Sequence, residues 1–267
     1  MIQFNFHRFK KLARWSLTND KRYYVKATLQ ILVVMLLVFL FFTLLTRTNG
    51  GRMGNYGPCA FAVMFMIIGT IIVGPAYMFY SLEGKHDRQA LTMLPASNFE
   101  KYIMRYATWM IMLPLWTMAF LVADVLQYFI HGLLGHDYQT FVLSVIIKFF
   151  NDTSRTSIST SDSYMLVSIT ISFLWFHSMY ALGANFFRTR KFNWVLTTLI
   201  IILFIVLTAL LTREDSTINQ ISQLNWRVSK TIFMISCVIY SGWTLLNFWL
   251  SYRLFCRNQV IGKLVNI

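Results

Sequence analysis

Charge is what this chain has least of. Only 13% of its 267 residues are charged and 57% are hydrophobic, where an ordinary soluble domain carries about a quarter charged residues. The apolar excess comes in blocks, which excludes a soluble globular domain and makes the chain an integral membrane protein. Cysteine is scarce too. Cys59, Cys237 and Cys256 are far apart and no C-x-x-C occurs, so neither a zinc site nor a disulfide framework is indicated. They read as small apolar residues in or beside helices. Catalytic signatures are missing as well: there is no G-x-S-x-G and no H-E-x-x-H. A P-loop is absent, since Gly84-Lys85 is followed by His86. Any nucleotide energy the protein uses must then come from another chain. No internal repeat is present.

What is there begins with a net charge of +14. A nucleic-acid binder would gather that charge on one soluble face. Here Lys and Arg stand in short clusters beside apolar blocks, as expected of segments facing anionic lipid head groups. Nucleic acid is therefore not an expected partner, and the lipid bilayer is.

Six blocks are long enough to span, at about 28–46, 59–80, 106–128, 164–186, 194–212 and 231–250. The expected fold is all-α and polytopic. The first block reads as a retained span, because Thr46-Arg47-Thr48-Asn49-Gly50 offers no small-x-small cleavage site. The two termini, the 81–105 loop and the 187–193 turn hold seventeen Lys and Arg, against seven in the remaining connections. The positive-inside rule then places both termini and the 81–105 loop in the cytoplasm. Residues 1–26 fit an amphipathic interfacial helix, with Ile2, Phe6, Phe9, Ala13 and Leu17 on one face and Arg8, Lys11 and Arg14 off it. An irregular basic tail fits the same charges. Between spans 3 and 4, Phe141 to Phe150 is too short to span and reads as a re-entrant or interfacial helix. The Ser/Thr-rich stretch from Asn151 to Ser163 reads as a loop.

Three features invite a functional reading. Asp124, towards the outer end of span 3, and His177, near the middle of span 4, are ionisable groups at membrane depth. They serve either structure or a substrate path. They do not make the carboxylate pair or Ser/His pair that an intramembrane hydrolase would need. In span 2, Gly69, Thr70 and Gly74 have the spacing of small residues that lets helices approach closely, within the chain or with a second copy.

The third feature is the stretch from Glu83 to Arg105, charged at both ends and apolar in the middle. Pro95 disfavours helix at Leu94, so a short helix from about Lys85 to Met93 is expected to stop there. Ser97 and Glu100 then form a capping box that starts the next helix. Lys85 and Arg88 flank the short helix, and Leu91, Met93 and Leu94 are expected to be exposed at its end. They mark a contact surface, unless they lie back on lipid or against the N-terminal helix.

An acidic residue after span 2, then a helix ending in L-x-x-L-P-x-S, resembles the first cytoplasmic loop of ABC-2-type transporter permeases. Glu83, Leu91, Leu94, Pro95 and Ser97 carry the resemblance, within T-M-L-P-A-S-N-F-E-K. It implies a permease subunit of the cytoplasmic (inner) membrane, with no ATPase motif and no cofactor of its own. ATP and magnesium would sit on a separate ATPase subunit docked on the 83–97 loop, the coupling helix. A second permease copy or homologue would complete the unit, which would most often export its substrate. Glu83, Lys85, Arg88, Leu91, Met93, Leu94 and Pro95 would make the docking surface. The rival readings are a membrane scaffold of an envelope complex and an intramembrane enzyme centred on Asp124 or His177.

Overall fold

The structure is a computed structural model, and it describes residues 4–48, 56–82, 90–91, 93–133, 140–155, 160–187, 192–213 and 226–257. Among them it is all-α, about 90% helical and without strands. The helices are α1 (Phe6–Asn19), α2 (Lys21–Thr48), α3 (Gly57–Val73), α4 (Asn98–Tyr106), α5 (Thr108–Leu133), α6 (Val142–Arg155), α7 (Thr160–Phe186), α8 (Asn193–Arg213) and α9 (Trp226–Cys256). Six stretches are long and apolar enough to cross a membrane: Lys21–Leu45, Gly57–Tyr77, Asn98–Leu133, Leu166–Phe186, Asn193–Leu210 and Phe233–Cys256. The protein is multi-pass. The third stretch is longer than expected because the capped helix α4 leads directly towards α5.

The chain divides into two compact units. One gathers Met1–Leu12, Ile72–Tyr106 and Thr160–Ile267, and the other Ala13–Ile71 and Ala107–Ser159. In the second unit α2 packs on α5 around an apolar core that includes Met35, Phe39, Cys59, Trp116, Phe120 and Ala123. In the first, α7 packs on α9, and buried polar side chains run along the pair. Asn247 donates to the Ser178 hydroxyl at 3.0 Å, and Asn185 donates to Ser251 at 2.9 Å. Ser251 in turn donates to the Ala181 carbonyl at 2.7 Å.

Local chemistry explains the helix ends. Asn5 caps α1, its side-chain oxygen accepting from the His7 and Arg8 amides at 2.9 and 3.4 Å. Pro75 ends α3, and a 3-10 turn follows over Gly74–Tyr77. The Ala76 carbonyl within that turn accepts from the Asn193 side chain at 2.6 Å, so a backbone group left over by the break is satisfied at the start of α8.

Three expectations are corrected. Thr70 and Gly74 do not belong to one α-helix, because α3 ends at Val73 and Gly74 opens the 3-10 turn. Gly69 would meet nothing within 4 Å if it carried a side chain, and the Thr70 hydroxyl is spent on its own helix, at the Met66 carbonyl. Within the chain a close approach is made by Gly183 of α7, where an added methyl would overlap the Thr197 hydroxyl and come within 3.0 Å of Thr197 Cβ. The stretch expected to be a loop after Phe150 is helical as far as Arg155, and α7 is already under way at Thr160. Finally, the packed side of α1 is centred on Leu12 and Ser16, with Phe6 and Leu17 exposed and Arg8 turned inward.

The loop end and its anchor

Glu83, Lys85 and Arg88, with residues 84, 86, 87 and 89, lie outside the described residues. The described end of the loop starts in a helical turn, with the Leu94 amide bonded to the Ala90 carbonyl at 3.2 Å. Pro95 ends that turn, and the Ala96 amide folds back to the Leu94 carbonyl at 2.8 Å. The apolar residues then part company. Met93 is 81% exposed and Pro95 is exposed, Leu94 is half-buried, and Leu91 is only 5% exposed. Leu91 is thus a packing residue that fixes the turn, which corrects its assignment to the exposed surface.

Directly beyond the proline both hydrogen bonds of a capping box are present. The Ser97 hydroxyl accepts from the Glu100 amide at 3.2 Å, and the Glu100 carboxylate accepts from the Ser97 amide at 2.9 Å. Glu100 has further partners. Arg8 meets it as a fork, Nε to Oε2 at 2.8 Å and a terminal nitrogen to Oε1 at 2.6 Å, and the Asn5 amide donates to Oε1 at 2.7 Å. One fully buried carboxylate therefore closes the cap of α4 and holds the cap and first turn of α1. Two-pronged arginine pairing of this kind fixes orientation as well as adding energy. The bond to Glu100 raises the Arg8 pKa from its ordinary value, so the guanidinium stays charged.

From this anchor α4 carries contacts inward. Phe99 meets Phe4 at 6.4 Å and Tyr252 at 5.8 Å between ring centroids. The Tyr102 hydroxyl donates to Ser251 at 3.1 Å, joining the polar group shared by α7 and α9. Tyr106 shares a 2.6 Å hydrogen bond with His177 Nε2, which gives the buried imidazole a partner within its own unit. Lys101 and Arg105 are buried and do not face head groups as the charge count assumed. Arg105 donates to the Ser81 hydroxyl at 3.0 Å.

Asp124 belongs to the other unit. Its carboxylate accepts from the Val142 and Leu143 amides at 2.8 and 3.1 Å. These are the first amides of α6, which have no carbonyl partner inside their own helix. The carboxylate also faces the positive end of that helix dipole. Asp124 is a helix cap supplied from another helix. Two turns further on, buried His131 bonds Thr43 through one ring nitrogen and Tyr56 through the other, the latter at 2.9 Å. The sequence reading passed over His131 by ending the span at 128. The signal was there, since Asp124, Gln127 and His131 are three and four residues apart and share a face.

Among the described residues no group of His, Cys, Asp and Glu could hold a metal ion. No family model, curated protein or solved structure matches the chain.

Proposed function

We propose that the chain is the membrane subunit of an ABC-2-type transporter, with both termini and the 83–97 loop on the cytoplasmic side of the inner membrane. A separate ATPase subunit docks on that loop and drives export. The observation that carries this reading is the anchored loop end. Exposed Met93 and Pro95 stand immediately before a cap whose carboxylate is bound by α1, and α4 continues from that cap to side chains of α7 and α9. A push on the Met93–Pro95 tip would thus be passed on by a helix fixed at its start, with no slack at the cap. Tyr102 and Tyr106 are the contacts through which it would reach Ser251 and His177. Asp124 has no part in the path, because both of its oxygens hold the start of α6.

The test is affinity purification of the full chain from native membranes. The expected result is recovery of a spanless P-loop ATPase with the wild type, and its loss with Met93→Asp/Pro95→Asp while membrane insertion is unchanged. Recovery of the ATPase with the double variant would defeat the docking surface. Failure of the wild type to recover any nucleotide-binding chain would favour the scaffold reading.

A further inference from the structure

The N-terminal half of α2 lines a groove of about 1060 Å³. At one end stand Lys21, Arg22 and Lys26, all exposed, and from there Leu29 and Val33 run along the floor. Arg22, Lys26 and Gln30 are four residues apart, so three hydrogen-bond donors stack along one stripe of the helix. α2 contains no acidic residue. The nearest carboxylate in sequence, Asp20, is buried and accepts from the Ser16 hydroxyl at 3.0 Å and the Asn19 side-chain Nδ2 at 3.3 Å. Half-buried Tyr23 stands within one turn of Lys21, Arg22 and Lys26, and tyrosines mark the membrane–water boundary. From Lys21 to Val33 the helix rises roughly 18 Å, close to the depth of one leaflet of a bilayer core of about 30 Å.

We propose that this groove binds an anionic phospholipid of the surrounding bilayer. The phosphate is held by Arg22 and Lys26 with Lys21 beside them, Gln30 donates to the glycerol or ester oxygens, and an acyl chain lies on Val25, Leu29 and Val33. A second copy of the chain is the wrong occupant. A two-fold contact places the same patch on itself, which here sets three cations against three with no acid to separate them. A soluble acidic protein would satisfy the cations but could not follow the apolar floor to leaflet depth. Only a molecule that is anionic at one end and hydrocarbon for the rest matches both parts.

The full chain, purified in detergent and loaded with equal phosphatidylglycerol and phosphatidylcholine, is examined by native mass spectrometry for retained lipid. The wild type is expected to retain at least one phosphatidylglycerol in clear preference. Lys21→Gln/Arg22→Gln/Lys26→Gln is expected to lose that preference, about fivefold for each charge removed. Leu29→Trp, which leaves every charge in place and fills the floor, is expected to lower retention of the same lipid. The control Lys10→Gln/Lys11→Gln/Arg14→Gln removes three exposed cations from α1 and should leave retention unchanged. Equal loss in the control would overturn the proposal in favour of a general basic field. So would unchanged retention in the groove variants, or a changed oligomeric state in place of lipid loss. Melting curves of all variants separate loss of lipid from loss of fold.

Discussion

The two units solve the same problem in opposite ways. Inside a bilayer the lipid tails are as apolar as leucine, so burial of hydrocarbon gives helices little reason to associate. The unit of α2, α3, α5 and α6 has an apolar core filled by Met35, Phe39, Trp116 and Phe120, with buried polar groups such as Asp20, Asp124 and His131 outside it. The unit of α4, α7, α8 and α9 places polar side chains through its interior, with Ser251 meeting Tyr102, Asn185 and the Ala181 carbonyl. Packing of the first kind has one good arrangement. Hydrogen bonds to a rotatable hydroxyl have several, and it is the unit of α4, α7, α8 and α9 that holds the anchored loop end.

The largest expected effect is on that anchor. Glu100→Ala removes four hydrogen bonds to one buried carboxylate, at a cost of about 3 kcal/mol. α1 should come loose first. Trypsin cleavage after Lys10 and Lys11 should accelerate at least tenfold in detergent, whereas Arg14→Gln, on the exposed side of α1, should not change it. Equal protection of wild type and Glu100→Ala would show that α1 is held by something other than this carboxylate.

The next pair sets the two cores against each other. Phe120→Ala leaves a cavity in a shape-packed core and should cost about 2 kcal/mol or more. Ser251→Ala removes interhelical hydrogen bonds, which in membranes average about 0.6 kcal/mol and reach roughly 1.7. Denaturant unfolding in mixed micelles reads both. A larger loss at Ser251 than at Phe120 would reverse the comparison. Between them in size stands Gly183→Ala, at about 1–2 kcal/mol for overpacking against Thr197. Thr197→Ala on the same background should restore most of it, because it removes the hydroxyl that the added methyl would overlap and the γ-methyl beside it, leaving only Cβ at 3.0 Å.

The readability of these features from sequence follows the range of the interactions. The six spans depend on composition over about 20 residues, and the Ser97–Glu100 box on a spacing of three, so both are visible in a single string. The partners of Glu100 are not, because Asn5 and Arg8 stand 95 and 92 residues away. A helical projection of α1 sorts residues by polarity and turns Arg8 outward. It cannot know that a buried carboxylate waits on the inner side. Gly183 failed for a similar reason, since nothing near it in sequence announces Thr197. Asp124 was visible as a buried acid, but its role depended on the start of α6 eighteen residues later.

Gly69 gives the smallest effect and separates packing within the chain from packing between chains. Its small-residue spacing suggested a close helix contact, yet an added methyl there would meet nothing within 4 Å. Within one chain, Gly69→Ala should therefore cost nothing and should gain a few tenths of a kcal/mol, since alanine favours helix over glycine by about 1 kcal/mol in exposed positions. If Gly69 instead faces a second copy, the same methyl would push two helices apart and lower the dimer fraction while leaving the monomer's unfolding untouched. Cross-linking in native membranes together with an unfolding curve reads both quantities at once. A stable monomer with an unchanged dimer fraction would leave Gly183 as the tested close-packing glycine and remove Gly69 from the candidate contacts.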